Sequence, residues 1–168
     1  MVFKWIQVET MCSTRGLHVL GVRTQAALTL DDKGRLAVPS ELRKAFDVAR
    51  IHSLVFTAYQ GSIWGVSHET ASAMEQRLAA LDPFSQDALD FTHAVLGANE
   101  EVTIDNNGRI RIPTELRELV GIGREVRLIS VLDRIELWEP ERWKRRMREA
   151  QERVASMGGM PRAVGEAA

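Results

Sequence analysis

A sixteen-residue pattern occurs twice in this chain, and it restricts the possible folds more than any other feature. Residues 28–43 read LTLDDKGRLAVPSELR and residues 102–117 read VTIDNNGRIRIPTELR. Eight of the sixteen positions are identical, and most of the others exchange one aliphatic or polar residue for a similar one. An internal repeat sets the architecture before any other inference is made. The offset of 74 residues runs without a gap beyond the motif, setting Phe46 on Val120, Val48 on Ile122, Arg50 on Arg124, Val55 on Ile129 and Ile63-Trp64 on Leu137-Trp138. Two halves sharing one fold are therefore expected.

Each copy has a readable local grammar. Leu28 and Leu30 alternate with polar neighbours, a turn follows at Asp31–Gly34, and Leu36 and Val38 alternate again. Period-two alternation around a glycine-containing turn predicts a β-hairpin over residues 25–38. Pro39 ends the strand and has the φ angle of a helix start. A short helix is expected next, with Leu42, Ala45 and Phe46 on one face. Strands are predicted at Ser53–Thr57 and Ser62–Val66, with Gln60-Gly61 as the turn. A helical stripe of Met74, Leu78 and Leu81 follows. Asp82-Pro83 reads as the start of a second helix, with Phe84, Ala88, Phe91 and Val95 as its stripe and Gly97 as its stop. The two helices are read as an antiparallel pair joining the repeats. In the second copy Gly121-Ile-Gly123 reads as a helix cap. Glu139-Pro140 opens a C-terminal helix with Trp143, Met147, Ala150 and Val154 on one face. Residues 1–20 read as an extension, with Met11 as an alternative start, and the tail after Met157 reads as disordered.

Composition narrows the function classes. The chain has 168 residues, 45% of them hydrophobic and 27% charged, the profile of a soluble globular protein. No apolar run approaches the roughly 20 residues of a membrane span. Cys12 is the single cysteine, so no intramolecular disulfide forms and a cytoplasmic location is expected. His18, His52, His68 and His93 have no metal-ligand spacing. No phosphate-binding glycine loop is present, and no enzymatic activity, cofactor, metal or small-molecule substrate is expected. The net charge of -1 weighs against a simple nucleic-acid binder, so any DNA site needs local clustering or repetition.

The strand–turn–strand–Pro–helix unit with an Asp-x-x-Gly-Arg turn resembles the SpoVT–AbrB family of swapped-hairpin domains. Two such units joined by helices, closing on RIELWEPERW, look like the MraZ group within it, over roughly residues 21–150. The resemblance implies a mixed α+β, β-rich fold. Two tandem swapped-hairpin β-barrel units would form a pseudo-dimer, with a linking helical hairpin and a C-terminal helix. The implied division is an extension at 1–20, a first SpoVT–AbrB domain at 25–69, linking helices at 70–97, a second such domain at 98–141, and a C-terminal helix and tail at 142–168. It further implies a nucleoid-associated repressor of a division and cell-wall gene cluster, its own operon included. Such a repressor binds double-stranded DNA at G-rich direct repeats as a ring-shaped homo-oligomer. The chain departs from the family pattern in its long N-terminal extension and in Gly65-Val66-Ser67, which replaces a usual Tyr-Pro ending of the first unit.

Residue chemistry fits that implication. Guanine presents two acceptors in the major groove, which an arginine fork matches. Arg35 and Arg109 follow the turn glycines. Asp31 and Asp105 face them across the turn, placed to hold the guanidinium and to cap turn N–H groups. Lys33 and Asn107 occupy the apex. Arg43, Arg111 and Arg117 are candidate phosphate contacts. A purely local reading competes, because Asp-x-x-Gly also makes a good turn by itself. Trp64 and Trp138 read as core or interface aromatics, and the basic C-terminal helix as a solvated face. An antitoxin or protein-interaction scaffold built on the same fold is the alternative function.

Overall fold

The computed structural model describes residues 23–158. The extension at residues 1–20 and nearly all of the tail after Met157 lie outside them. In order, the elements are β1 (Gln25–Thr29), β2 (Arg35–Ala37), α1 (Ser40–Ala49), β3 (Ser53–Tyr59), β4 (Ser62–Val66), α2 (His68–Ala79), α3 (Gln86–Leu96), β5 (Glu100–Thr103), β6 (Arg109–Arg111), α4 (Thr114–Val120), β7 (Glu125–Val131), β8 (Arg134–Trp138) and α5 (Pro140–Met157). The fold is mixed α+β. An antiparallel sheet of six strands runs β1-β7-β8-β4-β3-β5, and a separate ribbon pairs β2 with β6. Among the described residues no helix is long and apolar enough to cross a membrane.

The strand pairing corrects the local hairpin expected at 25–38. The turn itself forms, with the Asp31 N–H donating to the Arg35 carbonyl and the Gly34 N–H to the Asp31 carbonyl, both at 2.9 Å. Beyond it the strands part. β1 pairs with β7, and β2 pairs with β6 from the other half. The reason lies in length and burial. β2 has three residues, and an isolated two-stranded ribbon of that size is marginal in water. Exchange between halves instead buries Leu30, Leu36, Leu42 and Phe46 in one core with Ile110, Ile112, Leu116 and Val120. A core shared by both copies removes more apolar surface from water than either copy would alone.

The registers relate the halves to each other. In the ribbon Leu36 faces Ile110, its own counterpart 74 residues later. Across the sheet centre Trp64 faces Glu136, a separation of 72. The gapless offset is therefore broken within each half. α1 has ten residues and ends on Arg50 in the left-handed conformation, whereas α4 has seven and ends on Gly121. The following turns place Gln60 (φ 48°) opposite Leu132 (φ 49°) in role, again 72 apart. Ile63-Trp64 thus corresponds to Ile135-Glu136, and not to Leu137-Trp138.

α1 and α4 each follow a proline whose φ is -54° or -55°, and both present Leu42, Ala45 and Phe46, or Leu116 and Val120, to the core. On the opposite face of the sheet α2 and α3 pack over β3, and α5 over β7. The second linking helix starts later than Asp82-Pro83. Asp82 makes a turn, its Oδ1 accepting from the Phe84 N–H, and Ser85 caps Gln86–Leu96 by accepting from the Ala88 N–H. Phe84 therefore leaves the helical stripe and is 95% exposed. Gly97 closes that helix in the right-handed conformation, φ -65°, where its N–H donates to the His93 carbonyl. α5 opens at Pro140, with the Glu139 carboxylate accepting from the Glu141 and Arg142 N–H groups. Trp143 packs on Trp138 at 5.6 Å between ring centroids, while Met147, Val154 and Met157 along the same helix are exposed.

Because the core is shared, the halves are expected to unfold together. Ile110→Ala removes a side chain with no solvent exposure and should cost about 2–5 kcal/mol. Calorimetry should show a single transition moved to lower temperature. Two transitions, one near the original midpoint, would contradict a common core.

Candidate nucleic-acid interface

The ribbon has two unlike faces. Leu36 and Ile110 point inward and are fully buried. Their neighbours Arg35, Ala37, Arg109 and Arg111 point the other way, because side chains alternate across a strand. Register sets Arg35 opposite Arg111 and Ala37 opposite Arg109. Like charges directly opposite are destabilising in a sheet. The Arg35–Arg111 pair therefore adds no stability to the ribbon by itself and gathers positive charge on this face.

Each turn locks one of those arginines. Asp31 Oδ1 accepts from the Lys33 and Arg35 N–H groups, both at 2.9 Å. Its Oδ2 accepts from Arg35 Nε and Nη2, each at 2.7 Å, a two-pronged grip on one carboxylate oxygen. The second turn repeats the arrangement. Asp105 Oδ1 accepts from the Asn107 and Arg109 N–H groups at 2.9 Å, and Oδ2 from Arg109 Nε at 3.1 Å. The Arg35 guanidinium, with the N–H bonds, brings the Asp31 pKa down from 3.8 to about 2. Asp105 is lowered as well, first by the Arg109 N–H and then by the Arg109 side chain. Both carboxylates stay ionised at neutral pH.

The remaining sequence candidates separate. Lys33 and Asn107 are exposed at the two apices, and Arg111 is exposed on the ribbon. Arg43 and Arg117 do something the sequence did not reveal: each reaches the turn of the other half. Arg43 Nη1 donates to the Asn107 carbonyl at 3.3 Å and lies over Gly108. Arg117 lies over Gly34 in the same way. No sequence signal could have found these contacts, because they cross between halves.

A second polar cluster also escaped the sequence reading. His68 Nε2 lies 3.0 Å from both Ser53 Oγ and Glu101 Oε1. Both contacts converge on one ring nitrogen. A serine–histidine–acid relay uses the two nitrogens separately, so this exposed group lacks the relay geometry. Among the described residues no cluster of histidine, cysteine, aspartate and glutamate could hold a metal ion.

The low Asp31 pKa predicts how tip order depends on pH. A carboxylate depressed on folding contributes order that is complete above its unfolded pKa and is lost as pH falls through the folded value. A carboxyl-detected NMR titration should give Asp31 a midpoint near 2, with the Arg35 Nε signal moving in the same step. A midpoint at the ordinary 3.8 would mean that the grip on Arg35 is absent in solution.

Comparison with known proteins identifies relatives of this chain. The family described as "MraZ protein, putative antitoxin-like" matches residues 95–157. The chain is 32% identical over 117 residues to the transcriptional regulator MraZ of Limosilactobacillus reuteri, covering 70% of this chain and 80% of the relative. It is 34% identical over 133 residues to that of Nocardioides sp., covering 79% and 90%. It is 35% identical over 117 residues to that of Chromobacterium violaceum, covering 69% and 79%. With its repeated Asp-x-x-Gly-Arg turns on an exchanged ribbon, and with relatives of this identity aligned over most of their length, the chain belongs to the MraZ family.

Proposed function

We propose that the protein is a DNA-binding transcriptional regulator that presents the β2–β6 ribbon to the major groove. One observation carries the reading. Three arginines stand on one short outward face, and the Asp31 and Asp105 carboxylates orient two of the three. A two-stranded ribbon fits the major groove, and an arginine fork matches guanine O6 and N7. Arg35 and Arg109 read guanines, Lys33 and Asn107 contact base edges or phosphates from the apex, and Arg111 contacts phosphate. The names of the MraZ relatives support transcriptional regulation. Within this reading the operator is a set of short G-rich direct repeats upstream of its own division and cell-wall genes, and binding represses them.

The proposal includes the architecture. Residues 25–69 and 98–141 form two swapped-hairpin units arranged as a pseudo-dimer, joined by linking helices at 70–97 and followed by a C-terminal segment at 142–168. The symmetric pairing of Leu36 with Ile110 supports it. The protein also assembles as a homo-oligomer. Exposed apolar residues near both ends of the sheet support this: Phe84, Leu89 and Phe91 in the segment over β3, and Met147 and Val154 on the helix over β7. Unlike patches at opposite ends favour head-to-tail contact, which closes into a ring when the rotation permits. Several weak sites on one assembly then engage repeated DNA sites with avidity.

A second reading has one specific support, the antitoxin-like description of the matched family. In that case the arginine face meets a protein. Fluorescence anisotropy on the upstream DNA of the protein's own gene separates the two. Arg35→Ala with Arg109→Ala should remove about 1–3 kcal/mol per lost guanine contact. Arg111→Ala should weaken all sequences alike and lower the salt slope by about 0.9. Wild-type-like binding by the double variant would sink the assignment of Arg35 and Arg109.

A further inference from the structure

Arg43 and Arg117 occupy equivalent positions in the repeat, in α1 and α4, and each leaves its own half. Arg43 Nη1 donates to the Asn107 carbonyl at 3.3 Å. A Cβ on Gly108 would overlap Arg43 Cδ, so the arginine stem fills the space that a glycine leaves. The Arg117 guanidinium stands 3.3 Å from where a Cβ on Gly34 would be, and its Nη2 donates to Thr114 Oγ1 at 3.1 Å. Both glycines are buried and sit at φ 71°, a conformation that side chains other than glycine rarely adopt. The backbone repeats the crossing: the Val38 N–H donates to the Gly108 carbonyl at 3.0 Å, and the Ile112 N–H to the Gly34 carbonyl at 2.9 Å.

We infer that Arg43 and Arg117 are positioning residues for the recognition tips: Arg43 sets the Asp105–Arg109 tip and Arg117 sets the Asp31–Arg35 tip. The inference rests on the DNA reading above. A phosphate contact needs a guanidinium presented to solvent. Arg117 is half-buried, and its Nε is buried without a partner, which is costly for a group meant to reach phosphate. Arg43 is exposed, and what sets it apart from a free phosphate contact is the donor it commits to a main-chain carbonyl of the opposite turn and the stem it lays over Gly108. A planar fork on a stem laid over glycine meets these demands, and a lysine, with its compact charge, does not. The consequence is a crossed dependence, in which each tip is shaped by the half that does not contain it.

Amide hydrogen exchange on the free full-length protein tests the clamp without DNA. Arg43→Ala and Arg43→Lys should each speed exchange at Asn107 and Gly108 by about tenfold, leaving Lys33 and Gly34 unchanged, and Arg117→Ala should do the reverse. Anisotropy on the upstream DNA then tests its role in recognition. Arg43→Ala should weaken binding by about tenfold, the scale of a coupled neighbour, and Arg43→Lys should not restore it. Adding Arg109→Ala should cost little more, whereas adding Arg35→Ala should cost its full amount. The salt slope should stay unchanged. A slope reduced by about 0.9, with rescue by lysine and additivity with both tips, would make Arg43 a phosphate contact and overturn the inference. Unaltered exchange at Asn107 and Gly108 would overturn the clamp itself. Altered exchange in a protein whose wild type ignores the DNA would overturn the DNA reading and leave the clamp standing.

Discussion

The contact between Leu36 and Ile110 is the point from which the rest of the structure is arranged. Each is fully buried, and each pairs with the equivalent residue of the other half. Burying one such side chain stabilises by roughly 1.5–3 kcal/mol. Three-residue strands would gain little from ladder hydrogen bonds alone. The gain comes from placing Leu30, Leu42, Phe46, Ile112, Leu116 and Val120 around the same centre. Both halves contribute to this one cluster, so the repeat is packed around a common core instead of as two beads on a string.

The same pairing creates the electrostatic face. Because inward and outward side chains alternate, burying Leu36 and Ile110 obliges Arg35, Arg109 and Arg111 to face outward together. Asp31 and Asp105 restrain Arg35 and Arg109 through charge-assisted hydrogen bonds and leave the ribbon basic. The molecule as a whole carries a net charge of -1. Bulk charge is thus a poor guide here, since an alternating strand concentrates on one face what composition averages away.

The two halves are related without being equal. Position 37 is alanine and position 111 arginine, so the second copy brings more charge to the ribbon. At the sheet centre Trp64 faces Glu136, whose carboxylate accepts from Arg134 Nε at 2.8 Å and Trp138 Nε1 at 2.9 Å. Arg134 in turn lies 3.9 Å over the Trp64 ring. Arg134 and Trp138 thus satisfy a buried carboxylate between them. This cluster has no counterpart built from the first copy's residues, because the register shift between α1 and α4 puts tryptophan where the other half has glutamate.

Local chemistry was legible in the sequence by itself. Asp31 and Asp105 were readable as turn caps because an aspartate bonds N–H groups two and four residues on, whatever the chain does elsewhere. Pro39, Pro113, Glu139 and Gly121 marked helix ends for equally local reasons, and Leu42, Ala45 and Phe46 marked a buried helical face. Ser85, three residues after Asp82, is the helix cap instead, because both residue types can cap a helix and the sequence does not choose between them. The partners of each strand were not legible, since Leu36 is equally apolar whether it meets its own hairpin or Ile110. Nor were the crossings of Arg43 and Arg117, because a sequence records neighbours along the chain and these contacts join residues 64 or more positions apart. Tertiary structure decided them for one reason: exchanging strands buries both copies in a single core, and that exchange carries each arginine across to the opposite turn.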